Sequence, residues 1–237
     1  MLQISVDHTV PRWRNHGRNS KADAAARLMT DETRLSTSAG PARPADALAA
    51  LIARAGGGDG KKPPVERWNP PFCGDIDMAI HEDGSWSYMG SPIGREALVK
   101  LFASVLRKDE DGCHYLVTPV EKVRIRVADA PFLAVEMHSL GQGDSRTLTF
   151  RSNVGDVVAA GPENPLRFRL DEENDGLVPY VLVRGRLEAR LTRPLLYDLA
   201  ELIEEKDGVP GVWSGGAFFP LPEGALGGTE RGGADQS

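Results

Sequence analysis

Residues 83–121, DGSWSYMGSPIGREALVKLFASVLRKDEDGCHYLVTPVE, carry the reading that decides the fold. Asp83-Gly84 is a hairpin signal, because both central turn positions favour residues that tolerate positive φ. The strand that follows spans Trp86 to Met89. Beyond the turn from Gly90 to Gly94, Leu98, Leu101, Phe102, Val105 and Leu106 recur at helical spacing and predict one apolar face. Asp111-Gly112 is expected to end that helix, and Tyr115 to Val117 to begin a strand stopped by Pro119.

Working outward toward the N-terminus, residues 63 to 75, PPVERWNPPFCGD, hold four prolines and predict a shaped connector that packs Trp68 and Phe72 on the core. Asp75 and Asp77 lie two apart, a spacing that shares a face only in a strand, and are expected at a turn or strand start. Cys73 and Cys113 are too few for a disulfide framework and lack metal-ligand spacing. Cys73 is expected to be a small buried residue. The run Gly56 to Lys62 ends in lysine but is followed by Pro63-Pro64 rather than by Lys-Ser/Thr opening a helix, so it reads as a linker and not a phosphate loop. Ala42 to Ala55 predicts a helix with a narrow stripe at Leu48, Leu51 and Ile52.

Residues 1 to 28 hold five basic and two acidic residues with no sustained periodicity and no apolar h-region. Met29 is therefore expected to be the true start. That change leaves 23 basic against 32 acidic residues, a net charge of −9 in place of −6.

Toward the C-terminus the pattern turns to strands. Val123, Ile125 and Val127 alternate with Lys122, Arg124 and Arg126, a half-buried strand with a solvated basic face. Phe132 to Leu140 and Ser145 to Ser152 flank a Gly-rich turn, and shorter runs follow at Val157 to Ala160, Leu166 to Leu170 and Pro179 to Val183. The expectation is an antiparallel meander over Val123 to Leu170, with His138 in a structural role. A second helix carries Leu195, Leu196, Leu199, Leu202 and Ile203 and is expected to close at Lys206-Asp207-Gly208. Placing Arg193 on Arg95 aligns Leu98 with Leu196, Leu101 with Leu199 and Val105 with Ile203, with strands before and after each helix. The shared flanks point to an internal duplication.

The fold class read from this is α+β: two tandem, related strand–helix–strand domains at 63–118 and 119–222. Before them comes a polar extension (1–62), and after them a tail (223–237) expected to be disordered. Leu101 and Leu199, central on their stripes, are expected to be buried. The acidic balance argues against a nucleic-acid binder, and no apolar run approaches eighteen residues, so no membrane span is expected. The cysteine usage fits a reduced, cytoplasmic protein.

The stretches PPVERWNP, DGSWSYMGSPIGREALVKLFASVL, YLVTPVEKVRI, DAPF, PYVLVRGRLEARLTRPLLYDLAEL and SGGAFFPL together resemble the bacterial family known as domain of unknown function 1285, from about Pro63 to Leu221. The resemblance implies a duplicated core whose second half is superficially similar to pleckstrin-homology folds. It also implies signal transduction through a nucleotide-like ligand at the domain interface. It carries over no catalytic residue.

Three functional readings follow. The first is a module sensing an anionic, nucleotide-like small molecule, with no cofactor, because no nucleophile elbow, zinc pattern or dinucleotide fingerprint is present. The second is an enzyme using Asp75, Glu121 or His138 with an arginine. The third is an adaptor with an exposed apolar patch. For the first, Arg95 and Arg193 each stand at a helix start, where unpaired N–H groups and the positive dipole end favour an anion. The expected site is Arg95 or Arg193 with Thr118, Glu121 and Arg184 in a cleft between the halves. The simpler alternative pairs Arg95 with Glu96 or Glu121, and Arg193 with Glu188.

Overall fold

The computed structural model describes residues 62–226. The expected start at Met29, the helix over residues 42 to 55, the glycine-rich linker and the tail beyond residue 226 lie outside the described residues. Asp83 and Gly84 do turn the chain, between β1 (Phe72–Ile80) and β2 (Trp86–Tyr88), with Gly84 at φ +77° and the His81 N–H donating to the Ser85 carbonyl at 2.9 Å. A two-residue strand β3 (Ser91–Pro92) leads into helix α1 (Glu96–Ser104), and β4 (Leu106–Lys108), β5 (His114–Val117) and β6 (Lys122–Val127) follow.

These six strands make one sheet in the order β3-β2-β1-β6-β5-β4. Every pair is antiparallel except the central one, β1 with β6. Two expectations are corrected here. Residues 72–80 form a central strand and not a connector, so Cys73 is exposed rather than buried, and Phe72 lies largely exposed, edge-on to Tyr115. The strand over 122–127 belongs to this first sheet, so the first half extends past residue 118.

The second sheet contains β7 (Phe132–Leu140), β8 (Thr147–Ser152), β9 (Val157–Ala159), β10 (Leu166–Leu170), β11 (Leu177–Arg184) and β12 (Leu187–Leu191). Its order, β10-β11-β12-β7-β8-β9, is the first sheet's order read from the other end, again with a parallel pair at the centre. The expected meander over 123–170 is therefore wrong as a whole: β7, β8 and β9 are an antiparallel meander, but β6 lies in the other sheet and β10 at the opposite edge. Alternation supports the strands themselves. In β8, Leu148, Phe150 and Ser152 are buried and the residues between them are not.

Helix α2 (Arg193–Ala200) then leads to β13 (Glu204–Lys206), β14 (Val209–Ser214) and β15 (Ala217–Pro220), a three-stranded antiparallel sheet. Ser214 ties that sheet to the second one: its hydroxyl accepts from the Leu148 N–H at 2.9 Å and donates to the Ala160 carbonyl at 2.7 Å. Among the described residues the fold is thus mostly β, with two helices and two related six-stranded sheets.

Both helices are shorter than their apolar stripes. Residues 105–106 and 203–206, expected as helix ends, leave the helix after Ser104 and Ala200, and β4 and β13 form instead. The Asp-Gly pairs are the reason. Asp207 (φ 53°) and Gly208 (φ 81°) form the tight turn of the β13–β14 hairpin, while Gly112 (φ 79°) serves the turn between β4 and β5. They are hairpin turns and not helix stops. β4 and β13 lie 98 residues apart, the same offset that sets Arg193 on Arg95. The order strand–strand–strand–helix–strand–strand–strand accordingly occurs twice, over β1–β6 and β10–β15. The copies differ in closure: β1 pairs with β6, whereas β10 only touches β15 and β12 pairs with β7.

The buried side chains of both halves form one cluster, including Met78, Ile80, Trp86, Phe102 and Leu116 from the first and Phe132, Leu148, Phe150, Leu187 and Leu199 from the second. Trp86 and Phe102 stack with ring centroids 6.2 Å apart. Leu199 is buried as expected (1% exposed). Leu101 is only partly buried, and its neighbour Phe102 (0% exposed) takes the central place, because α1 meets the sheet through its Phe102–Ala103 edge. No helix among the described residues is long and apolar enough to cross a membrane.

Candidate functional site

The β1–β2 turn of the first half is seated on the second half. A Cβ built on Gly84 would stand 2.9 Å from Asn153 Nδ2 and 3.0 Å from Leu133 Cδ1, so a larger residue must push these side chains aside at a φ of +77° that itself favours glycine. Asn153 is itself fixed, its Oδ1 accepting from the Leu133 N–H at 3.1 Å. Arg190 on β12 completes the contact: its guanidinium donates to the Glu82 carbonyl at 2.8 Å and pairs with Asp129 at 3.3 Å. Asp129, on the link between β6 and β7, also accepts from the buried Tyr180 hydroxyl at 2.8 Å. Burial, with that bond to Asp129, raises the Tyr180 pKa.

Beside this contact lies a cleft of about 430 Å³. Glu82 and Asp83 from the β1–β2 turn form one side, and Asp171, Asn174 and Gly176 from the β10–β11 turn another. Arg190, Thr192, Arg193 and Leu196 bring in the end of β12 and the start of α2, and Leu133, Leu177, Val178 and Leu191 supply apolar wall. Thr192 enters α2 in an extended conformation and makes no side-chain cap. The α2 N-terminus therefore meets the cleft without a capping hydroxyl, and Arg193 is its first helical residue.

Of the five residues expected in an inter-domain site, Arg193 is the one that lines this cleft. It is exposed, and it makes no ion pair among the described residues. The expected partner Glu188 is engaged elsewhere, by Arg167 through two hydrogen bonds of 2.8 and 2.7 Å. Arg95 stands at the start of α1, outside the cleft, and Glu96 pairs with Lys100 one turn on. Thr118 and Glu121 serve their own turn: the Thr118 hydroxyl accepts from the Glu121 N–H at 3.2 Å, and the Thr118 N–H donates to the Glu121 carbonyl at 2.9 Å. Arg184 is a structural residue between the halves, donating to the Leu106 and Ala103 carbonyls. The expected grouping of these five is thus corrected, because four of them lie outside the cleft and two of those, Thr118 and Arg184, hold backbone in place with their side chains.

The carboxylate–arginine alternative fares no better. Asp75 is exposed and held by Arg124 through bonds of 2.8 and 2.6 Å, which keep its carboxyl below the usual range, the reverse of what a proton donor needs. His138 is exposed on β7, in the other sheet from Asp75. Glu82, Asp83, Asp171 and Arg190 were not read from the sequence as site residues, Asp83 being read only as part of a turn. Their signal was the pair of acidic turns, EDG at 82–84 and DEENDG at 171–176, but nothing local says that those turns meet.

No curated protein matches the chain. Residues 63–130 match the family model described as domain of unknown function (DUF1285), N-terminal domain, and residues 131–221 match the DUF1285 C-terminal domain. The shared boundary falls just after β6, in agreement with the sheet to which that strand belongs. Among solved structures, a DUF1285 family protein from Silicibacter pomeroyi DSS-3 is 49% identical, over 76% of this chain and 96% of that one, with a TM-score of 0.70. A DUF1285 family protein from Shewanella baltica OS155 is 28% identical, over 53% and 91%, with a TM-score of 0.42. With both family models matched in tandem over the two halves, the chain belongs to the DUF1285 family.

Proposed function

We propose that this protein is a small-molecule-binding module of the cytoplasm that senses an anionic ligand in the cleft between its halves. The observation that carries the reading is the cleft itself. Turns from both halves line it, and it presents Arg193, a guanidinium with no ion-pair partner among the described residues, at the uncapped start of α2. A planar guanidinium suits carboxylate or phosphate oxygens, and the positive end of the α2 dipole adds to its pull on an anion. A ligand held there touches both the β1–β2 turn and α2, which supports a role in signal transduction by altering how the halves meet. The three-stranded sheet laid against β8, with α2 leading into it, supports the superficial likeness of the second half to pleckstrin-homology folds.

The test is a thermal-shift screen of the full chain against phosphorylated and carboxylated metabolites, nucleotides included, followed by calorimetry on each hit with Arg193→Met. A ligand that binds only the folded state raises the midpoint; at 100-fold over its Kd the gain is about 2.7 kcal/mol. Arg193→Met is expected to weaken a true cleft ligand roughly tenfold or more. A ligand that Arg193→Met binds as tightly as the unaltered chain does not use this cleft, and the reading fails.

A further inference from the structure

The cleft holds more negative than positive charge to spare. Glu82, Asp83 and Asp171 bring three carboxylates to it, and none has an ion-pair partner among the described residues. The Asp83 and Asp171 carboxylates each accept one backbone N–H at 2.9 Å, from Ser85 and Glu173, which fixes their place without neutralising them. Of the two guanidiniums, Arg190 is already taken by Asp129 and by the Glu82 carbonyl. Among the described residues, one lining cation without an ion pair, Arg193, therefore shares the cleft with three carboxylates that have none.

That balance selects among anionic ligands. A nucleoside polyphosphate brings several negative charges into a cleft whose own surplus is negative, and charges of one sign within a Debye length of roughly 8 Å repel. A ligand with one acidic group and one ammonium group meets the opposite situation at each end. Its anion sits on Arg193, its ammonium among the carboxylates, and the apolar wall of Leu133, Leu177 and Val178 borders the carbon frame between them.

We propose that the cleft is a site for a small zwitterion, a compound carrying one phosphate or carboxylate and one ammonium group on a short or ring-sized carbon frame. The inference rests on the reading of the cleft as a ligand site and adds the cationic half of the ligand. Selectivity then comes from the acidic turns: they admit the amino compound and turn away its neutral or multiply anionic analogue.

Matched probes test this in the full chain by calorimetry: glucosamine 6-phosphate against glucose 6-phosphate, phosphoethanolamine against ethyl phosphate, and AMP as a nucleotide anion. The expected result is that at least one amino compound binds roughly tenfold or more tightly than its partner lacking the amine. The double variant Glu82→Gln, Asp171→Asn keeps side-chain shape and the hydrogen-bond acceptors of both turns, and is expected to erase that preference while retaining the phosphate-dependent part. Equal binding within each pair, or binding of AMP ahead of the amino compounds, leaves the cleft an anion site and overturns the zwitterion. Failure of all five probes overturns the zwitterion, while the reading of the cleft as an anion site stands or falls on the wider screen with Arg193→Met. An amine preference that survives the double variant also overturns this one, because the carboxylates then do not cause it.

Discussion

The Arg184 guanidinium, at the end of β11, donates to the Leu106 carbonyl at 3.1 Å, and a second nitrogen donates to the Ala103 carbonyl. A side chain of the second half therefore binds one carbonyl in the last turn of α1 and one at the start of β4, and its positive charge suits the negative end of the helix dipole. Arg184 also lies 3.5 Å from Asp156 and over the Phe132 ring, 5.5 Å from its centroid. Burial pushes its pKa down, with Asp156 acting in the opposite sense. Arg184→Met removes both charged hydrogen bonds, at about 1.5–3 kcal/mol each, and is expected to cost about 3 kcal/mol or more in urea unfolding. Arg184→Lys recovers only part, because a point charge cannot serve two carbonyls as a fork does. A loss below about 1 kcal/mol for the methionine variant means that the halves are held together without Arg184.

The two helices anchor through different residues. Phe102→Ala is expected to cost about 3–5 kcal/mol and Leu199→Ala about 2–5 kcal/mol, because both side chains are enclosed. Leu101→Ala, at a partly buried site, is expected to cost clearly less than either. Equal losses at positions 101 and 102 in equilibrium denaturation contradict the orientation of α1.

Gly84→Ala tests the seat of the β1–β2 turn. The new Cβ meets Asn153 and Leu133 at 3.0 Å or less while φ stays at +77°. Strain of this kind costs about 1–3 kcal/mol, so the unfolding midpoint is expected to drop. Ligand affinity at the cleft is expected to fall with it, since Glu82 and Asp83 ride on the same turn. An unchanged midpoint means that the turn moves freely away from the second half.

His114 makes stability depend on pH. Burial lowers its pKa from 6.5 to about 4, with Lys108 on the neighbouring strand adding to the effect. The folded chain therefore keeps the imidazole neutral where the unfolded chain takes up a proton. Stability is full above pH 6.5 and falls as the pH drops toward 4, by about 3 kcal/mol at the lower end from this residue alone. The difference in unfolding free energy between the unaltered chain and His114→Leu, followed from pH 7 to pH 4, isolates this residue from the carboxylates common to both. Parallel curves reject the assignment.

Arg193→Met is expected to leave unfolding stability within about 0.5 kcal/mol, since Arg193 is exposed and makes no ion pair among the described residues. A larger loss in chemical denaturation shows a structural duty, and any binding defect of that variant then loses its meaning.

Local chemistry was legible where a few adjacent residues settle the conformation. Asp83-Gly84 turns the chain because glycine tolerates φ +77°, and the limits of β7 and β10 follow from period-two alternation between turn residues. The starts of both helices were readable for the same reason, as was the 98-residue offset between the two copies of the helix and its following strand. The ends of the helices were not. Leu106 and Ile203 continue an apolar stripe equally well in a helix or a buried strand, and only pairing with β5 or the start of β13 distinguishes the two.

What the sequence determined by itself, then, was the inventory of turns, strands and helix starts, because φ/ψ preference and burial periodicity act over a few residues. Sheet membership was decided by tertiary structure: Asp75 pairs with Arg124 from 49 residues away, a parallel register for which no local residue encodes a partner. The cleft belongs to the same category. Glu82 and Arg190 meet across 108 positions because both sheets share one buried core, and close packing of that core sets two acidic turns beside an arginine that each segment alone leaves in solvent.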